Sequence, residues 1–210
     1  MQATQPTRRP GGRTARTQQA VHTAALAELA DHGYAGTSID SIARRAGVHP
    51  TTVYRRWQTK GRVIAEALRA AAAERTELID TGSIDDDMRT LARSVVLTLS
   101  SREGLATVRA LVAEGPTSPD MGPVLDEFWA GRRAAFEPFL ERAIERGQLP
   151  ADTDAVELLK YLAAPIYYQA LITTEALSAA TADRAAAATM AAARANVFDR
   201  FDADRVRARG

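Results

Sequence analysis

Residues 37–60 read TSIDSIARRAGVHPTTVYRRWQTK, and this stretch decides the fold. Thr37 or Ser38 offers an N-cap oxygen to a helix reaching about residue 46. At 100° per residue, Ile39, Ile42, Ala43 and Ala46 fall on one side of it, and Ser41, Arg44 and Arg45 on the other. Gly47 stands where a left-handed C-cap residue belongs. Pro50 opens a second helix at the position where its missing N–H costs nothing. In that helix Val53 and Trp57 point one way, Thr51, Thr52 and Arg55 the opposite way, and Tyr54 and Arg56 lie on the flanks. The pattern is a helix-turn-helix. A short helix with an apolar back, a cationic front and donors on both flanks suits a DNA major groove: the front reaches base edges and the flanks reach phosphates.

Upstream, Val21, Ala24, Ala25 and Leu29 recur at helical spacing, predicting a first helix over about 14–32 that Gly33 ends, with Tyr34 packing under the next helix. Residues 1–12, MQATQPTRRPGG, form a polar, basic tail expected to be disordered when free. Arg8, Arg9, Arg13 and Arg16 either reach phosphates or a minor groove, or stay solvated. Downstream, Gln58 and Thr59 form a short connection, with Thr59 capping a helix expected over about 59–80. Lys60 lies in its first turn, where backbone donors and a cation can share one phosphate, the alternative being a solvated lysine. That helix is long enough to leave the three-helix unit. The expected organisation is a tail at 1–12, a DNA-binding domain at 13–60, and a helical ligand-binding and dimerisation domain at 61–210.

The remainder reads as helices throughout, about nine in all, with no strand pattern or repeat; the fold class is all-α. Met88, Leu91, Val95 and Leu99 share a face of a helix over about 85–100, and a shorter helix follows at about 103–114. Pro138 is expected to kink or break a long segment at about 121–146. Asp152 or Thr153 caps a helix over about 154–174, which Pro165 bends. The last helix, about 182–201, is rich in alanine, with Ala186, Met190, Ala193 and Val197 along one stripe. So few large groups suit half of a helical dimer interface, built with its predecessor through Pro165 and Tyr168, or else a peripheral helix on its own core.

Composition narrows the function. There is no cysteine, so disulfides and thiolate metal sites are excluded, and His22, His32 and His49 have no ligand spacing. No stretch has the length and apolarity of a membrane span, and the start of the chain has no apolar signal region, so a cytoplasmic protein without metal or cofactor is expected. No nucleophile, base and metal constellation is visible, which argues against an enzyme. Residues 1–60 hold nine basic and three acidic side chains, while the other 150 hold 18 and 23. A basic end on an acidic body is the footprint of a nucleic-acid-binding module attached to something else, although basic N-termini are also common.

The stretch GYAGTSIDSIARRAGVHPTTVYRRWQTKGRVIAEAL, set after a small-residue first helix, resembles the TetR (tetracycline-repressor-like) family of bacterial transcription regulators. The features that carry the likeness are Gly33-Tyr34, Thr37-Ser38, Ile42-Ala43, Ala46-Gly47-Val48, Thr52-Val53-Tyr54, Trp57 and Lys60. ERAIERGQLPADTDAVELLKYLAAPIYYQAL looks like one C-terminal subtype of that family. The resemblance implies an Ω-shaped homodimer on a double-stranded, palindromic DNA operator, usually as a repressor, released by a small-molecule effector. By position it implies that Thr51, Thr52 and Arg55 face bases and that Tyr54, Arg56 and Lys60 touch phosphates. Thr37, Ser38 and Arg45 would support from the second helix. His49, where a serine cap is common, joins this set, although histidine caps poorly. Asp40, Arg55 and Arg56 also depart from the family pattern, so the operator sequence does not carry over. Arg55 faces either a guanine, whose O6/N7 matches its fork, or a phosphate.

Leu91, Val95, Phe128, Trp129, Phe136, Tyr161 and Tyr168 are the bulky groups of the middle helices and the candidate lining for an apolar or amphipathic effector, or else plain core. The rival reading of the whole chain is a helical ligand-binding or scaffolding dimer without DNA-binding activity.

Overall fold

A computed structural model describes residues 12–73 and 80–199. The tail arginines Arg8 and Arg9, the side chain of Arg13, the end of the helix expected to reach residue 80, and residues 200–210 lie outside them. Among the described residues nine helices run in order: α1 Gly12–Gly36, α2 Ile39–Ala46, α3 Pro50–Trp57, α4 Lys60–Ala73, α5 Ile84–Ser100, α6 Arg102–Glu114, α7 Gly122–Glu145, α8 Ala155–Ile172 and α9 Ala179–Arg194. The only β-contact among them is an isolated bridge between Thr153 and Asp199. Among the described residues no helix is long and apolar enough to cross a membrane.

The buried side chains form two clusters. One collects Val21, Ala25 and Leu29 of α1, Ile39 and Ile42 of α2, Val53 and Trp57 of α3, and Val63, Ile64 and Leu68 of α4. The other is built by α5, the C-terminal half of α7, α8 and α9, around Met88, Phe136, Phe139, Leu158, Leu162 and Ile166. Two helices serve both. Ala110 and Leu111 of α6 lie in the first cluster and Val108 in the second. Val124 of α7 lies in the first, with Leu125 and Phe128 packed on it, while Phe136 to Ala143 lie in the second. The boundary expected at residue 60 thus falls ahead of α4, whose buried residues belong with the helix-turn-helix.

Caps set most boundaries. Ser83, Ser101, Asp154 and Ser178 each accept a backbone N–H from the first turn of α5, α6, α8 and α9. α7 runs through Pro138 as one element. Two expectations are corrected. The cap of α8 is Asp154, not Asp152 or Thr153. The last helix starts at Ala179, because Ser178 and Thr181 form a reciprocal capping box, and it stops at Arg194.

The alanine stripe also faces the other way. Ala186, Met190 and Ala193 are 3%, 2% and 1% exposed, packed within the protomer's own core. They are core residues and not a dimer surface, because the small side chains let α9 lie close against α5 and α8. Val197 lies beyond the helix and is exposed, while its neighbour Phe198 is buried against Tyr161, ring centroids 4.8 Å apart. Pro165 and Tyr168 do remain exposed on α8.

Two outcomes follow. Ala186→Leu should overpack the α5–α9 contact and destabilise the fold by about 1–3 kcal/mol in denaturant unfolding. Arg142 Nε donates to Asp80 at 2.6 Å and Arg146 Nη1 at 3.2 Å, holding its carboxyl down from 3.8 to about 2. The stabilisation from this ionised carboxylate is full above about pH 3.8 and is lost as pH falls through about 2. In acid titrations of stability, Asp80→Asn should remove that portion of the slope.

Candidate nucleic-acid interface and apolar cleft

Ser38 caps α2: its Oγ accepts from Ser41 N–H at 3.0 Å, and Ser41 Oγ accepts from Ser38 N–H at 3.1 Å. This box turns Ser41 inward, so it is buried rather than on the polar side. Thr37 is buried as well, its hydroxyl donating to Gly33 O at 2.7 Å, which leaves its side chain inside the fold and not on the DNA face. Gly47, at φ 66°, closes α2 with its N–H on Ala43 and Arg44 carbonyls. His49 then caps α3 after all: its Nδ1 accepts from Thr51 N–H at 3.4 Å and lies 2.9 Å from Thr51 Oγ1.

Helix α3 spans eight residues, about 12 Å of helix and about the width of a major groove. Val53 and Trp57 are buried, and Thr51, Tyr54, Arg55 and Arg56 are exposed, with Thr52 half-buried. Trp57 fixes the helix: its Nε1 donates to Glu66 Oε2 of α4 at 2.6 Å, and the His22 ring meets it edge-on. Arg56 lies over the same indole at 4.8 Å and donates to Gln18 Oε1 at 2.6 Å, so its charge is held toward α1 and α4. Burial pushes the His22 imidazole below its ordinary pKa despite Glu66 beside it. The chain then turns at Gln58, φ 66° and ψ −43°, with Thr59 N–H on Trp57 O at 2.7 Å. This positive-φ γ-turn in a residue with a side chain costs on the order of 1–3 kcal/mol.

Two further cations of the expected set, Arg45 and Lys60, are also held. Arg45 Nε donates to Glu28 at 2.6 Å and its Nη2 to Asp31, which also receives Arg102 of α6 at 2.8 Å. The Arg45 hydrogen bond holds the Asp31 carboxyl below its ordinary range. Arg45 therefore ties α2 to α1, a structural role that its position on the helix wheel did not reveal. Lys60 Nζ donates to Tyr34 O at 2.7 Å and sits 4.5 Å from the Tyr34 ring centroid, an ammonium on the carbonyl end of α1. Next to it, Thr59 Oγ1 donates to Asp120 Oδ2 at 2.7 Å and accepts from Arg62 N–H at 3.1 Å. The loop between α6 and α7 thus grips the first turn of α4. A Cβ at Gly61 would lie 2.8 Å from Asp120 Oδ2, so glycine permits that approach. Sequence reasoning missed Gln18, Glu66 and Asp120. Gln18 and Asp120 are paired across 38 and 61 residues and Glu66 across nine, from one helix to the next, and only the glycine at 61 hinted at a close neighbour.

In the second cluster an apolar cleft opens between α5, α7 and α8. Leu91, Val95, Trp129 and Phe136 line it. Phe128 stands behind, against Trp129 and the first cluster. Tyr161 and Tyr168 are exposed on the far side of α8, and the cleft tyrosine is Tyr167. Arg132, Ala135, Leu159, Leu162 and Ala163 complete the lining. The inner cleft holds about 60 Å³ and joins a groove of about 790 Å³. Burial pushes the Tyr167 phenol above its ordinary pKa, so it stays neutral.

Known proteins agree with this architecture. The family model for bacterial regulatory proteins of the tetR family matches residues 22–67, and that for the tetracyclin repressor-like C-terminal domain matches 78–189. The HTH-type transcriptional regulator YdeS of Bacillus subtilis is 31% identical over 158 residues, covering 75% of this chain and 79% of its own. The HTH-type transcriptional regulator AqdR of Rhodococcus erythropolis is 31% identical over 143 residues, covering 68% and 69%. A TetR transcriptional regulator from Agrobacterium tumefaciens superposes with a TM-score of 0.66 at 20% identity, covering 87% of this chain and 98% of that one. With a buried-backed α3 presenting Thr51, Tyr54 and Arg55, and with these relatives, the chain belongs to the TetR family of DNA-binding transcriptional regulators.

Proposed function

We propose that this regulator is a repressor that binds a palindromic operator as a homodimer and is released by a small apolar or amphipathic effector. The observation that carries the DNA reading is the exposure pattern of α3. Its apolar side is locked into the core by Val53 and Trp57, and Thr51, Tyr54 and Arg55 face outward. Thr37 and Arg45, expected to support from the second helix, are engaged within the fold, and the base-reading set stays Thr51, Thr52 and Arg55. Tyr54 and Arg56 flank it at phosphate positions, and backbone donors at Ser38 and His49 open the two helices. Lys60 keeps a place in the set through whichever of its three N–H groups Tyr34 and Ala35 do not hold.

The homodimer reading rests on α8 and on the outer side of α9. Tyr161, Tyr168 and Ile172 are 54%, 61% and 69% exposed and recur with Pro165 along one face. Ala187, Ala188 and Ala191 line the exposed side of α9. Two such faces packed on a two-fold axis give a four-helix contact and place two α3 helices for adjacent half-sites. The effector reading rests on the cleft, whose groove lies within the volume range of small-molecule sites.

In electrophoretic mobility shifts on the DNA upstream of its own gene, Arg55→Ala should weaken binding by about 1–3 kcal/mol and blur preference at one base pair per half-site. Lys60→Ala should weaken all sequences alike and reduce the salt slope by about one. If neither substitution changes binding to any promoter fragment, α3 is not the reader, and the scaffolding alternative gains. Tyr168→Glu should shift the protein to monomer in sedimentation; an unchanged mass would place the interface elsewhere.

A further inference from the structure

Resting on the reading that α3 binds DNA, we propose that Glu66 of α4 is the positioning residue of the recognition helix and sets where Arg56 presents its charge to a phosphate. Both oxygens of this carboxylate lead to Arg56. Oε2 accepts from the Trp57 indole at 2.6 Å, and Arg56 lies over that indole at 4.8 Å. Oε1 accepts from the Gln18 amide nitrogen of α1, and the Gln18 amide oxygen accepts from Arg56 Nη2 at 2.6 Å. One arm supplies the surface under the guanidinium, and the other its in-plane partner. Arg56 Nη2 is 3.8 Å from Glu66 Oε1, beyond hydrogen-bond reach, so Gln18 carries the link. His22, one turn along α1 from Gln18, closes the site: it is buried, with Nε2 3.3 Å from the same Oε1. Burial holds this imidazole below its ordinary pKa, so near neutral pH it does not compete for Oε1 as a cation.

The order of these groups matters. A carboxylate only accepts and a guanidinium only donates. An amide between them must turn its NH2 to the one and its oxygen to the other, as Gln18 does. The chain from Arg56 through Gln18 to Glu66 therefore runs in one sense, and the acceptor at its end fixes that sense. The Gln18 contact takes one of five guanidinium donors, and the Arg56 side chain is 40% exposed, so N–H groups remain for a phosphate. A side chain already held in place loses less rotamer freedom on binding. Glutamine at position 66 keeps an oxygen for Trp57 but turns its own NH2 on Gln18. Gln18 must then flip, which sets NH2 against guanidinium and releases Arg56. The anchor at the back of α3 stays while the hold on its flank is lost.

The test is fluorescence anisotropy of the full chain on the duplex upstream of its own gene, over a range of salt. Arg56→Ala should weaken binding about tenfold and lower the salt slope by about one. Glu66→Gln should weaken it about threefold or more, and should add nothing in the Arg56→Ala background. Gln18→Ala leaves Glu66 and Trp57 in place and should match Glu66→Gln; it carries the test if Glu66→Gln lowers the melting temperature. Gln18→Glu combined with Glu66→Gln restores the sense of the chain, since position 66 then accepts from Trp57 and donates to position 18, which accepts from Arg56. This pair should bind within about twofold of the parent chain. A harmless Gln18→Ala, full additivity of Glu66→Gln with Arg56→Ala, or a pair that regains none of the loss overturns the proposal. So does Arg56→Ala binding like the parent while Arg55→Ala weakens binding. The DNA reading survives each of these. Binding unchanged by Arg55→Ala, Arg56→Ala and Lys60→Ala alike overturns both.

Discussion

Two hydrophobic clusters share two helices, and the rest of the molecule depends on that sharing. α6 contributes Leu111 to the cluster under the helix-turn-helix and Val108 to the C-terminal cluster; α7 contributes Val124 to the first and Phe136 onward to the second. Close-packed interiors transmit displacement rather than absorb it. The DNA-binding unit is therefore not a bead on a linker. A side chain of α7 that moves in the cleft belongs to a helix that also packs against α4 and α6. The loop joining α6 to α7 adds a polar hold on the same place, through Asp120 on Thr59.

That place is the turn entering α4, directly after the recognition helix. An eight-residue helix is not stable alone in water. Helix α3 persists because Trp57 is buried and hydrogen-bonded to Glu66, because His49 and Pro50 start it, and because Gln58 accepts a strained turn to end it. Its placement in the fold is fixed by contacts with α1 and α4, and α4 in turn is touched by Asp120 and by the Arg69–Glu127 pair from α7. A proposed effector thus has a physical path to α3 that runs through α7 and its preceding loop as well as through α4.

Local chemistry was readable from the chain. Ser38, Gly47 and Pro50 act on their own neighbours, so the starts and stops around α2 and α3 followed from single residues, whereas the cap of α8 is Asp154 rather than Asp152 or Thr153. The buried faces of α1, α2 and α3 followed from periodicity. What depended on distant partners was not readable. Arg45 lies on the polar side of α2 by its wheel position, yet Glu28 and Asp31 of α1 claim it. The alanine stripe of α9 could face a partner or its own core, and only the packing of α5 and α8 decides. Tyr167 and Tyr168 differ by 100° on one helix, which puts the first in the cleft and the second in solvent. His49 caps because its Nδ1 reaches the Thr51 N–H, a geometry that the residue's average preference understates.

The central claim is that α3 reads a two-fold symmetric DNA site. Selection of the purified protein against a randomised duplex pool tests it most directly. The account predicts enrichment of an inverted repeat whose half-sites lie about one helical turn apart or a multiple of it. Recovery of no motif, or of a single asymmetric site, would contradict it.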